Sequence, residues 1–415
     1  MIIRKLHELE WLEWNRISAL SFNWSLDTDD VTPESYAEQH RPKQPAPLRS
    51  QAFGEWGAFT DDGEMMAGLL ASFFRVHFDG GVALMAGVGG VCTYPQHRRK
   101  GAVKGIFRHM LDGLHEARVP FSYLYPFSEQ FYEGFGYRNA AGGIEWSFDL
   151  SMMPPRHWEG SFSLHRPGAP IDGFDAAYGP FAARWNMMVL RSPDNGHSVQ
   201  HCDPFKHNKS AFLYRDAAGV PRGYVSFERH VQPGQPPALA GKELVFDTTD
   251  TLKAIMGFMK SYASDYALFT IKMPESLNLD HFCTDFAQSN TAKSMKKNGM
   301  TRAVHVEQIL RSARYVGSGQ LSLFIHDAFL PQNNGLYALR WQDGTVASVA
   351  FSHLPPAPMG QRCDVEMTVN AFAPAILGSY AATEFAFMDG VRVNTDLAKV
   401  AQVFYKKPCW ISNFF

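Results

Sequence analysis

The sequence lacks most of the features that assign a chain quickly. Its five cysteines, at positions 92, 202, 283, 363 and 409, form no Cys-x-x-Cys pair. That scatter argues against a disulfide framework or structural zinc and fits a reducing compartment. Charge of either sign is in no excess: 39 basic against 41 acidic residues leave −2 with neutral histidines. No global basic field exists to hold a nucleic-acid backbone, so any phosphate site must be local. The apolar runs, Ala67 to Phe74 among the longest, are too short to span a bilayer. The start, Met1-Ile-Ile-Arg-Lys-Leu-His-Glu-Leu-Glu10, carries charges where a secretion signal needs an apolar stretch. Sixteen histidines include no His-x-x-x-His on a helical pattern, so no metal is expected. What is present is an ordinary globular composition, 45% hydrophobic, in 415 residues. At roughly 150 residues per domain this gives two or three domains. The expectation is a cytoplasmic multidomain protein that neither binds nucleic acid nor inserts in a membrane.

Residues 1–145 alternate helical and strand patterns. The runs Ala67 to His77 and Val82 to Thr93 flank Asp79-Gly-Gly81 and read as a hairpin. Val103, Ile106, Phe107, Met110, Leu111 and Leu114 fall on one face, predicting a helix over 101–118 that Pro120 ends. Phe121 to Phe127 reads as a strand. Residues 146–300 repeat the alternation, with strands at Ala211 to Arg215, Gly223 to Glu228 and Tyr266 to Met273 and a helix at Leu252 to Tyr262. From 301 the pattern shifts to strands separated by turns, then to helical spacing at Ala371 to Ala382 and Leu397 to Phe404. Three domains are expected, at 1–145, 146–300 and 301–415, with Pro154-Pro155 and the polar run Ser289 to Gly299 as boundary candidates.

The strongest signal is Tyr94-Pro-Gln-His-Arg98-Arg99-Lys100-Gly101-Ala102-Val103. Three cations and a glycine directly precede an amphipathic helix. A helix start presents unpaired N–H groups and about half a positive charge, and glycine lets backbone approach a ligand. Together these make a phosphate cradle to which the cations add charge-assisted hydrogen bonds. A solvated charge run before a surface helix is the alternative. The nearby Gly87-Val-Gly89-Gly90 is not a dinucleotide fingerprint, since strand rather than helix pattern follows it.

The strand, basic loop, helix and strand, followed by Phe131-Tyr-Glu-Gly-Phe-Gly-Tyr137, resemble the core of GNAT-superfamily N-acetyltransferases. That family's Arg/Gln-x-x-Gly-x-Gly/Ala loop is matched by Arg98 to Val103, with the bulkier Val103 departing at the last position. The resemblance implies acetyl-CoA as cosubstrate. Its pyrophosphate would lie on the amides of Arg98, Arg99, Lys100, Gly101, Ala102 and Val103, and its pantetheine arm beside Val91, Cys92, Thr93 and Ser128. The family's general acid falls on Tyr132, for which a core aromatic is the alternative. Over the whole chain the layout resembles the Eis (enhanced intracellular survival) family. This implies an α+β architecture: two tandem GNAT-like mixed-sheet domains, the second without a functional cofactor loop, followed by a sterol-carrier-protein-like α/β domain. It also implies homo-oligomers, hexamers in particular, and a terminal carboxylate, here that of Phe415, threaded into the active site.

Acetyl transfer needs an oriented amine, polarisation of the thioester carbonyl and a proton for the leaving sulfur. The backbone N–H near Cys92 fits the second need and Tyr132 the third. Phe415 is a general base or an ammonium anchor. Asp27, Asp29 and Asp30 would form an anionic rim for a cationic substrate, and Phe22 and Trp24 would wall its pocket; a solvated loop and core packing are the alternatives. Phe414, beside the terminal residue on the substrate side, adds no second negative charge there. The expected reaction is acetylation of a primary amine on an aminoglycoside-like or polyamine-like small molecule. Acetylation of protein lysines or amino termini, and non-catalytic binding of acyl-CoA or lipid, are the competing readings.

Overall fold

The computed structural model describes residues 1–41, 53–191, 198–282, 291–355, 359–360 and 363–414. The proline-rich segment 42–47, Cys283 and Phe415 lie outside the described residues. The chain forms two compact units: residues 1–140, 299–406 and 414–415 make one, and 141–298 with 407–413 make the other.

The first unit begins with β1 (Ile2–Lys5), α1 (Trp11–Phe22) and α2 (Pro33–His40). There follow β2 (Gly54–Phe59), β3 (Met65–Phe78), β4 (Gly81–Thr93), α3 (Ala102–Glu116), β5 (Phe121–Leu124), α4 (Glu129–Glu133) and β6 (Arg138–Asn139). These strands and a distant one, Met300–Ala303, build a seven-stranded sheet in which the distant strand lies between β5 and β6. All neighbours are antiparallel except β4 and β5, which α3 connects as a crossover.

The apolar stripe of α3 explains its seat. Ile106, Phe107, Met110, Leu111 and Leu114 are fully buried and pack with Ala67, Leu69, Ala86 and Val88 of the sheet. Each such burial is worth roughly 1.5–3 kcal/mol. Gly68, between Ala67 and Leu69, turns its bare Cα to the opposite face, where the Trp14 indole of α1 fills the space a Cβ would take. The two helices therefore cover opposite faces.

The same unit holds a five-stranded sheet from Gly319–His326, Gly335–Gln342, Thr345–His353, Val365–Thr368 and Val391–Val393. The helix expected over Ala371 to Ala382 ends at Ile376, and Ala382–Phe387 is a separate tight turn of 3-10 helix. Gly378 with φ of 87° breaks the run, a conformation only glycine adopts readily. Arg302, on the distant strand of the first sheet, is fully buried. Its Nη2 meets both carboxylate oxygens of buried Asp327, which follows the first strand of this second sheet, at 2.9 and 2.7 Å. Asp327 also accepts from the amides of Phe329 and Leu330 and from Asn333 Nδ2.

The other unit contains a seven-stranded sheet. Its one parallel pair, Ala238–Phe246 with Leu268–Pro274, is again linked by a helix, Thr249–Lys260. The polar run read as a boundary contains Ala292–Lys296, an edge strand of this sheet. Leu239, Ile255, Met259, Phe269 and Ile271 are in its core.

Deleting one partner of a buried ion pair leaves an uncompensated charge in low dielectric. Asp327→Ala is expected to lower unfolding free energy by about 3–5 kcal/mol. Urea denaturation checks it, and a loss below 1 kcal/mol would show that the pair does not anchor the unit.

Candidate active site

Strand β4 runs to Thr93, but its parallel pairing with β5 covers only Met85 to Val88 against Phe121 to Leu124. Pairing with β3 continues, with a register shift between Gly68–Cys92 and Leu70–Gly89. Gly90, at φ 59°, sits in that bulge. Trp14 lies against Gly90 where a side chain would otherwise be, and its Nε1 donates to the Gly90 carbonyl at 3.3 Å. Past Val88, then, β4 has a bulged backbone with no β5 ladder to absorb its polar groups. Val91, Cys92 and Thr93 are the residues of this stretch.

The Cys92 side chain does not join the groove. It is buried among Ile17, Phe59 and Met65, with Sγ 3.7 Å from the Gly68 carbonyl, and burial pushes its thiol up to about 12. Only its backbone is available to a ligand. At the strand's end, the Tyr94 hydroxyl donates to Glu13 Oε1 of α1 at 2.5 Å. Burial, together with that carboxylate, pushes the phenol up to about 12.

The basic loop follows as a single 3-10 turn, Pro95–His97, then exposed Arg98, Arg99 and Lys100. Arg99 at φ 62° and Gly101 at φ 83° turn the chain into α3, which starts at Ala102. No side chain caps α3 and no acid sits in its first turn. A Cβ built on Gly101 would meet nothing within 4 Å, so the approach to these amides is open. Buried His97 roots the loop: its Nε2 lies 3.1 Å from Glu64 Oε1 and its Nδ1 3.4 Å from Lys100 Nζ. His97 holds the Glu64 carboxyl below the usual range. Unpaired amides, positive dipole and three flanking cations suit a pyrophosphate.

The crossover helix of the other unit is built differently. Thr248 Oγ1 accepts from the Thr251 amide at 3.2 Å, the Thr251 hydroxyl donates to Asp247 at 2.6 Å, and Asp250 occupies the first turn. That helix start is already capped and carries negative charge, which repels an anion.

Tyr132 lies on α4, whose first amides are capped by Ser128: its Oγ accepts from Phe131 N at 3.4 Å. The Tyr132 ring is 2% exposed and meets Phe107, Phe127 and Phe131 at centroid distances of 5.9, 5.4 and 5.1 Å. Burial raises its hydroxyl well above the ordinary tyrosine value, with neighbouring Tyr137 adding to the shift. The group is thus a neutral proton donor across the whole physiological range.

On the acceptor side, Trp24 is half-exposed and lines a shallow recess of about 460 Å³ with Arg16, Leu20, Asn23 and Leu26 at the end of α1. Asp27, Asp29 and Asp30 are exposed and do not line that recess; Asp27 Oδ1 instead accepts from the Asp29 amide at 3.2 Å. Phe414 rests on Tyr125, with ring centroids 4.6 Å apart. Tyr125 follows directly on Leu124, where the β4–β5 pairing stops. Phe415 is outside the described residues. Trp14 and Tyr125 were not singled out from the sequence; the Gly89-Gly90 pair inside a strand is the signal that marks a bulge needing a partner.

Residues 2–140 match the acetyltransferase (GNAT) domain model, and residues 306–412 match the sterol carrier protein domain model. The chain therefore contains an N-terminal GNAT-fold mixed-sheet domain and a C-terminal sterol-carrier-type domain. An uncharacterized N-acetyltransferase of Streptomyces avermitilis is 24% identical over 371 residues, covering 82% of this chain and 83% of that protein. A conserved Enterococcus faecalis V583 protein of unknown function, described as a probable N-acyltransferase, superposes with a TM-score of 0.82 at 19% identity. It spans 100% of this chain and 99% of its own. Eis1 from Mycobacterium abscessus gives 0.77 at 18% identity, with 100% of both chains covered. The fold is shared over the full length. Among the described residues no helix is long and apolar enough to cross a membrane, and no metal-ligating cluster occurs.

The Cys92 thiol, held protonated by burial until about pH 12, is expected to resist a maleimide at pH 8 in the folded protein. Peptide mapping checks this, and rapid native labelling of Cys92 would contradict it.

Proposed function

We propose that this protein is an N-acetyltransferase that moves an acetyl group from acetyl-CoA to a primary amine of a small molecule, of aminoglycoside or polyamine type. The observation carrying this reading is the end of β4: a strand that loses its parallel partner at Val88, bulges at Gly90 and leads into an uncapped, cation-flanked helix start. In the proposed site the amides from Arg99 to Val103, with the side chains of Arg98, Arg99 and Lys100, bind the pyrophosphate; the Arg98 amide already donates to the Pro95 carbonyl at 3.3 Å. Val91, Cys92 and Thr93 offer backbone to the pantetheine arm, and Ser128 borders it. Acetyl-CoA supplies an activated thioester when bound.

The residues of the chain do the rest. The backbone N–H near Cys92 polarises the carbonyl oxygen. Tyr132 donates its hydroxyl proton to the departing sulfur, a contribution of about 10²–10⁴-fold in rate. Amines are mostly ammonium at neutral pH, so an anionic partner is needed. The Phe415 carboxylate is that group, as proton acceptor or as anchor. Support comes from its neighbour Phe414, which packs on Tyr125 where the two strands part. Trp24 walls the amine site, and Asp27, Asp29 and Asp30 give an outer negative rim that attracts cations without touching them.

The wider reading places the chain in the Eis family, as a homo-oligomeric cytoplasmic enzyme whose middle sheet is a second GNAT-like domain. The capped, acidic start of the helix Thr249–Lys260 supports a middle domain that holds no cofactor.

Thiol release from acetyl-CoA, followed with spermidine and kanamycin as amines, tests the reading. Tyr132→Phe is expected to lower kcat by about 10²-fold with little change in KM for acetyl-CoA. One residue added after Phe415 is expected to raise KM for the amine. Because burial raises the Tyr132 hydroxyl, kcat should show no alkaline fall below about pH 10, the ordinary tyrosine value. Coenzyme A binding without turnover on any amine or lysine peptide would instead identify a non-catalytic acyl-CoA binder. Turnover confined to the peptide would identify a protein acetyltransferase.

A further inference from the structure

Helix α4 has only five residues, too few to hold its own shape in water. Its last carbonyls lack helical partners, and the chain leaves it through Gly136 at φ 87°. Within the turn, the Phe135 and Tyr137 amides both donate to the Tyr132 carbonyl, at 2.9 and 3.2 Å. The Gly136 amide donates to the Glu133 carbonyl at 2.9 Å, and Asn139 Nδ2 donates to Glu129 Oε1 at 2.9 Å. Further support comes from far along the chain. Asn370, at the start of the helix Val369–Ile376 of the sterol-carrier-type domain, donates through Nδ2 to the Glu133 carbonyl at 3.0 Å and to the Tyr137 carbonyl at 3.2 Å. The Arg302 guanidinium fills the place a Cβ on Gly136 would take, and Asp327 holds that guanidinium from the other side. Phe329, two residues beyond Asp327, packs against Phe135 with ring centroids 5.1 Å apart and planes tilted by 58°.

We propose that Asn370 and Arg302 are positioning residues that hold the Tyr132 turn in the conformation in which its hydroxyl donates a proton. The sterol-carrier-type domain thereby acts on turnover through backbone hydrogen bonds, whether or not it carries a lipid. This rests on the reading of Tyr132 as general acid. The Asn370 amide joins the two carbonyls that bracket the turn, Glu133 at the end of α4 and Tyr137 after the glycine. Without it, α4 can fray while the buried rings beneath it stay packed.

Asn370 is half-buried and outside the ion pair, so its variant is expected to fold. The test is a kinetic cycle of Asn370→Ala, Tyr132→Phe and the double variant, with spermidine and kanamycin, beside amide hydrogen exchange of the peptide spanning 129–137. Asn370→Ala is expected to lower kcat about tenfold, to leave KM for acetyl-CoA within about twofold, and to raise exchange in that peptide. In the Tyr132→Phe background it should cost nothing further, because the group it positions is gone. A kcat loss that multiplies with that of Tyr132→Phe, or no loss despite faster exchange, overturns the positioning role and leaves Tyr132 as the acid. If Tyr132→Phe itself turns over like the wild type, the general-acid reading falls, and this inference with it.

Discussion

The ion pair between Arg302 and Asp327 is the constraint on which the first unit depends. Both groups are fully buried, and Arg302 Nε and Nη1 find no hydrogen-bond partner, so their desolvation is offset by pairing with a carboxylate whose own hydrogen-bonding capacity is met. Asp327 meets that condition through two backbone amides and an asparagine. The consequence is topological. A strand from residue 300 is fixed between β5 and β6, although more than 150 residues separate it from either. The first sheet is closed by chain that has already travelled through another unit. The turn bearing Tyr132 lies directly against this closure.

A second constraint separates two similar crossovers. Each unit contains a parallel strand pair joined by a helix, yet only one helix start is free to receive an anion. At Gly101 the amides are uncapped, the first turn is without acids, and glycine removes the side chain that would crowd an approach. At Thr248 the hydroxyl takes the Thr251 amide, and Asp250 sits in the same first turn. Macrodipole and capping together decide whether a helix start is a binding site or a finished structural joint. Similar topology does not imply similar chemistry.

Much of this was readable along the chain. The 3.6-residue spacing of Ile106, Phe107, Met110, Leu111 and Leu114 gave α3 within two residues at each end, because amphipathic periodicity is a local property. Asp79-Gly-Gly81 gave the β3–β4 hairpin for the same reason. The strand expected over Phe121 to Phe127 stops at Leu124, since the ladder that would extend it is absent. The polar run 289–299 read as a boundary candidate, and the break between the two units falls at its end, between Asn298 and Gly299; the run also includes an edge strand, whose residues are all solvent-facing and so show no apolar alternation. Cys92 entered the candidate groove by its place in the chain, although a lone strand cysteine is more often a small core hydrophobe. Only the packing of α1 shows that its thiol faces the core.

What the sequence determined by itself was the set of local elements and the basic loop, because helix periodicity, turn chemistry and the order of cations and glycine act over a few residues. Tertiary structure alone decided which backbone groups stay unpaired, which strand closes the first sheet, and what stands behind Tyr132. Arg302, Asn370 and Trp14 carry no local pattern that announces their roles. Their partners at Asp327, Glu133 and Gly90 come within reach only when the chain folds, since burial and hydrogen bonding join positions that no short-range spacing relates.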